Sequence, residues 1–109
     1  MILRFRKKDR HNFLEIKRGL KTIETRAATP KYRKIQKGEI LIFVCGKERL
    51  KRRVRRVSIF RSIAAMTKKF NFKKIMPSLK SEKEMQAVYY GYAGYKVKIK
   101  KFGLIAFEL

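Results

Sequence analysis

The chain holds one cysteine, one histidine, two prolines, no tryptophan and only 8 acidic residues among 109. With Cys45 alone there is no partner for an intramolecular disulfide and no thiolate cluster, and with His11 alone no histidine-rich zinc site can assemble. No metal or cofactor is therefore expected, and a triad built on a histidine base would have to use His11, which reads as an exposed residue at a helix start. No apolar run approaches the roughly 18 residues of a membrane-spanning helix. The opening Met1-Ile2-Leu3-Arg4-Phe5-Arg6 lacks the apolar core of a secretory signal, so a cytoplasmic protein without a membrane partner is expected. A membrane-surface helix would set cations on one side and Trp or Leu on the other, and no segment does so. Repeats and Gly/Ser linkers are also missing, which leaves residues 1–109 as one expected domain.

Against the few acids stand 31 Lys+Arg, for a formal net charge of +23. The hydrophobic fraction of 45% is that of a folding chain and not of a disordered polybasic tail. A folded protein of this mass exposes on the order of 6,000 Å², so each basic side chain has only about 200 Å² to itself. Such crowding weakens the compact state by self-repulsion and points to a polyanionic partner, foremost nucleic acid. The cations fall in every segment, so the charge belongs to the fold and not to a detachable arm.

Met1–Arg6 alternates loosely and suits an edge strand. Phe13, Ile16 and Leu20 recur at helical spacing from Asn12, with Gly19 as a C-terminal cap after Lys17-Arg18. Lys21–Arg26 is rich in β-branched residues and predicts a strand, Ala27–Lys37 a loop or short helical turn, and Glu39–Cys45 a strand buried on both faces. Leu50–Phe60 predicts one strand with a bulge, because Val54 and Val57 are three apart. Ile63, Met66 and Phe70 keep helical spacing. Ser81-Glu82-Lys83-Glu84 is a capping box for a helix to about residue 90. Tyr95–Phe102 fits strand or helix, and Leu104–Leu109 a final strand. The sum is an α+β, strand-dominated domain with three or four short helices.

The octapeptide Gly19-Leu20-Lys21-Thr22-Ile23-Glu24-Thr25-Arg26 has the form G-x-K-x-x-E-x-R between a helix and a buried strand. In this it resembles the ASCH domain family of the PUA-like superfamily, and the similarity extends from about Phe13 to Leu109, through Tyr90-Gly91-Tyr92-Ala93-Gly94-Tyr95 and Phe102–Phe107. The resemblance implies a small PUA-like β-barrel of about five to six strands flanked by helices, a cleft beside the motif strand, and a role in RNA binding or processing. Within that frame, Lys21 in the turn after Gly19 would reach outward as a point charge for phosphate. Glu24 and Arg26, two apart on a strand, share one face about 7 Å apart. Arg26 could engage phosphate or a base edge while Glu24 accepts from an exocyclic amine such as cytosine N4. The plainer reading of the same pair is a local ion pair that orients the strand.

Beyond the motif, Arg49–Arg56 carries six cations in eight residues, and Arg52, Arg53, Arg55 and Arg56 are candidate phosphate contacts. Lys98, among Lys96, Lys100 and Lys101, marks a second basic patch, and Tyr92 and Tyr95 are candidate stacking platforms for unpaired bases. The expected partner is RNA, structured or modified, with transfer RNA foremost. A second reading is a small hydrolase on a modified nucleoside or on RNA. One bacterial branch of the family looks like an N4-acetylcytidine amidohydrolase with K-x-x-T in place of K-x-x-E. Lys21 matches that lysine, but Glu24 stands at the nucleophile's position. If this chain is an enzyme, Lys21 and Glu24 are its candidate catalytic residues, Glu24 as base on water and Lys21 on the oxyanion.

Overall fold

The protein, described here over residues 1–109 by a computed structural model, folds around one strand that is buried on both sides. That strand is β6 (Leu104–Glu108), and its strict alternation serves two separate cores. Ile105 and Phe107 join Leu3, Phe13, Ile16, Leu41 and Phe43 in one cluster, while Leu104 and Ala106 join Met66, Ile75, Met85, Tyr89 and Ile99 in the other. β6 lies between antiparallel β2 (Ile23–Ala27) and β5 (Arg56–Phe60). The second sheet has the order β1-β3-β4, with β1 (Ile2–Phe5) parallel to β3 (Ile40–Cys45) and β3 antiparallel to β4 (Glu48–Arg53).

Five α-helices complete the fold: α1 (Arg10–Lys17), α2 (Pro30–Arg33), α3 (Ile63–Lys69), α4 (Glu82–Gly91) and α5 (Tyr95–Phe102). α1 packs Phe13 and Ile16 against the first core, while Leu20, expected on the same stripe, lies beyond the helix and is exposed. Ser81 caps α4 by accepting from the Glu84 amide at 3.2 Å. Glu84 Oε2 in turn accepts from the Lys80 amide at 2.8 Å, one residue before the partner of a regular capping box. Gly103 holds φ at +81°, and a Cβ there would stand 2.2 Å from the Phe60 carbonyl oxygen, so only glycine allows α5 to turn directly into β6. No helix is long and apolar enough to cross a membrane.

Three expectations from sequence are corrected. The domain is not strand-dominated with three or four short helices: it has five α-helices, because Pro30–Arg33 and Tyr95–Phe102 are helical. The PUA-like barrel is not closed: the strands form two three-stranded sheets with no ladder joining them. β2 and β1 each keep an unpaired edge, and across the seam the Arg26 guanidinium reaches the Arg4 carbonyl at 3.4 Å. Leu50–Phe60 is not one bulged strand but parts of β4 and β5 in different sheets. The chain changes sheets at buried Val54, whose amide donates to the Glu39 carbonyl, and at Arg55, whose amide donates to the Glu108 carbonyl.

Candidate functional site

A cavity of about 290 Å³ opens along the unpaired edge of β2. β2 supplies Glu24, Thr25 and Arg26, the turn before it supplies Lys21, the end of β1 supplies Phe5, α1 supplies Asn12, and α4 and α5 supply Tyr89 and Tyr95, with Tyr92 between them. Local geometry explains how Lys21 arrives. Gly19 at φ +77° ends α1, and the amides of Leu20 and Lys21 both donate to the Glu15 carbonyl at 3.0 Å, which turns the chain back under the helix.

Lys21 is therefore 3% exposed and donates from Nζ to the Ile75 carbonyl. The outward phosphate contact expected of it is not formed: its ammonium faces inward, 3.5 Å from Glu24 Oε1. Glu24 ties the site together. Its Oε1 also accepts from the Thr25 amide at 3.0 Å, which satisfies an edge donor that no strand pairs, and its Oε2 accepts from Arg26 Nη2 at 3.1 Å. Three of the roughly four lone-pair directions of a carboxylate are thus taken and one remains for a ligand donor. The Arg26 guanidinium is only 15% exposed and lies 5.2 Å from the Phe5 ring centre and 5.7 Å from that of Tyr32.

Burial sets the protonation of this group. Desolvation pulls the Lys21 pKa below its ordinary value, with Glu24 opposing that pull. For Arg26 burial also disfavours the charge, but Glu24 overrides it and the guanidinium pKa rises. Burial raises the phenol pKa of Tyr89, whose hydroxyl hydrogen-bonds Thr25 Oγ1, and those of Tyr92 and Tyr95, so all three remain neutral donors at physiological pH. Tyr92 and Tyr95 meet edge to face with ring centres 5.2 Å apart, and Arg6 lies 5.5 Å over the Tyr92 ring. One wall of the cavity is thus aromatic and its floor is polar.

Of the residues singled out from sequence, Lys21, Glu24, Arg26, Tyr92 and Tyr95 line this cavity together. Lys98 is exposed one turn beyond Tyr95 on α5. Arg52 and Arg53 lie elsewhere, on β4, where they donate to the carbonyls of Lys51 and Gly38. Arg55 and Arg56 are exposed at the start of β5 and line a different groove. Thr25, from the same octapeptide, lines it too, and Phe5, Asn12, Met76 and Tyr89 are among the lining residues that had not been singled out. Only the tyrosine-rich run at 89–95 hinted at them, since Asn12 and Met76 come from segments that share no motif with β2.

The sequence matches no family model, and no curated protein matches it. Two solved structures are similar over nearly the whole chain. The crystal structure of hypothetical protein PH0355 has a TM-score of 0.82 and 31% sequence identity, covering 99% of this chain and 96% of that one. The solution NMR structure of protein PF0455 from Pyrococcus furiosus has a TM-score of 0.71 and 31% identity, covering 99% and 94%.

Proposed function

This chain belongs to the family of hypothetical protein PH0355 and PF0455, and from that starting point we propose that it is an RNA-binding protein that admits one unpaired base into the cavity beside β2. Neither name specifies a ligand, so the residues must. The observation that carries the reading is an aromatic and polar cavity of about 290 Å³ in a chain of net charge +23. That volume is at the small end of the ~300 to 1,000 Å³ range of ligand sites, which suits one nucleoside and not a stacked strand. Tyr92 and Tyr95 offer aromatic surface, and the remaining lone pair on Glu24 takes an exocyclic amine. Lys21 and Arg26 hold the Glu24 carboxylate in place, which is a positioning role. The octapeptide's likeness to the ASCH family supports RNA as partner independently of the barrel, which this fold does not have.

Titration of labelled single-stranded and transfer RNA at two salt concentrations, with free nucleosides as competitors, tests the proposal. Affinity should fall steeply with salt, and an uncharged nucleoside should compete weakly but measurably. Binding that no nucleoside disturbs would remove the cavity from the account. A second reading, hydrolysis of a modified nucleoside, is favoured by one observation: burial lowers the pKa of Lys21 beside a carboxylate. Incubation with N4-acetylcytidine should leave it unchanged if the site only binds; turnover that Lys21→Ala abolishes would make the protein an enzyme.

A further inference from the structure

A second concavity, of about 640 Å³, lies behind the wall of the first. Lys21 and Met76 face the β2-edge cavity, whereas Thr22 and Lys74 face the groove, and buried Ile75 separates the two. The Thr22 amide donates to the Lys74 carbonyl at 3.0 Å, which fixes the shared wall. Four cations from three segments meet in this groove: Arg55 and Arg56 entering β5, Lys69 at the end of α3, and Lys74 in the turn that follows. One acidic side chain, Glu108, lies among them.

The protein gives these four cations one carboxylate, and Lys69 otherwise lies 5.5 Å from the Phe70 ring centre. Arg55, Lys69 and Lys74 form no ion pair. Arg56 Nε stands 3.8 Å from Glu108 Oε2, an oxygen without a hydrogen bond, and the Arg56 side chain is 67% exposed. Arg33, by contrast, ends on the Ala28 and Phe102 carbonyls, each at 2.6 Å, and Arg26 ends on Glu24. Four like charges that the fold gathers from separate segments around a single carboxylate repel one another unless a further anion completes them. A guanidinium pair and two ammonium groups around an open groove match the tetrahedral oxygens of phosphate, which take both forked and point-charge donors.

We propose that this groove is a backbone-binding site that takes phosphodiester groups of the same strand whose base enters the β2-edge cavity. The proposal rests on the RNA reading of that cavity, and the shared wall is why one strand serves both. In this reading the strand passes the Lys21–Thr22 step, beyond which Arg55, Lys69 and Lys74 carry no ion pair and are open to its phosphates.

The test compares the wild-type protein with the double variant Lys69→Gln/Lys74→Gln, both positions being exposed so that the fold is kept, as thermal melting monitors. A fluorescein-labelled single-stranded oligoribonucleotide is titrated across a salt series, and cytidine, inorganic tripolyphosphate and phosphatidylserine vesicles are titrated separately. The slope of log affinity against log salt should shrink by about 1.4, the value for two lost phosphate contacts on a single strand, while cytidine binding stays unchanged. An unchanged slope for RNA would overturn the groove proposal and leave the base cavity standing. If RNA fails to bind but tripolyphosphate binds and the variant loses it, the groove is a site for free phosphates and both the strand assignment and the RNA reading fall. Vesicle binding lost in the variant, without RNA binding, would reassign the groove to lipid headgroups. No binding of any anion would overturn it outright.

Discussion

At the cavity, Lys21 and Arg26 have side chains 2% and 15% exposed, and both lie against Glu24, itself 4% exposed. On β4, residues 49, 51 and 53 are cations that alternate outward into solvent, with Arg52 on the other face donating only to a neighbouring carbonyl. The same residue types therefore behave in opposite ways. Inside, cations hold one carboxylate rigid and form a floor of small net charge. Outside, they leave positive charge unneutralised, which the fold tolerates because water screens it. Binding energy and stability should consequently separate by region.

Glu24→Ala should have the largest effect, because it strands two buried cations and the Thr25 amide at once. A loss of about 3 to 5 kcal/mol is expected from breaking a buried pair, read as a large fall in the urea midpoint. A fall no greater than that of a surface variant would mean that the floor is not the rigid unit described. Tyr95→Ala should cost about 1 to 3 kcal/mol of RNA affinity through lost stacking with its salt slope unchanged; a changed slope would place Tyr95 outside the base site.

The pH dependence of Lys21 distinguishes the regions more finely. Its folded pKa lies below the unfolded value near 10.5, so between the two the unfolded chain binds more protons and stability rises with pH. The penalty of burying the ammonium is fully present below the folded pKa and is relieved as pH climbs toward 10.5. Wild type should therefore gain stability relative to Lys21→Met as pH increases through that window, measured by urea unfolding at paired pH values. The tyrosines, with raised pKa values, oppose this above pH 10 in both proteins and cancel in the comparison. The smallest stability effect belongs to Arg52→Gln/Arg53→Gln, expected within about 0.5 kcal/mol. Its RNA salt slope should drop if β4 meets phosphate and stay constant if β4 is only a solvated edge that discourages strand pairing.

Local chemistry was legible in the sequence where one segment decides it. The Gly19 cap, the strand through Glu24 and Arg26, the strand Ile40–Cys45, which is buried except at Ile40 and partly at Ile42, and the Ser81 cap all depend on residues within a turn or two of each other. What could not be read depends on distant partners. A lysine just past a helix-capping glycine reads as exposed, and only the Ile75 carbonyl, 54 residues away, reveals why Lys21 goes in. Tyr95, Val97 and Ile99 alternate with lysines as a strand would, yet the segment is helical between Gly94 and Gly103, both at positive φ, with Ile99 buried and Val97 70% exposed. The barrel failed as an expectation where β1 and β2 keep unpaired edges, and the single bulged strand failed at Val54–Arg55, where pairing with Glu39 on one side and Glu108 on the other moves the chain between sheets. Asn12 and Met76 reach the cavity only through that tertiary arrangement.

Where β1 faces β2, a lone side-chain bond of 3.4 Å from Arg26 to the Arg4 carbonyl does the work that repeated amide bonds do between the paired strands of each sheet. Parting the two sheets there forfeits about 1 kcal/mol rather than a whole row of such bonds. The entrance should thus breathe far more readily than the interior, and the Arg4 amide should exchange with deuterium long before those of Leu41 or Ala106.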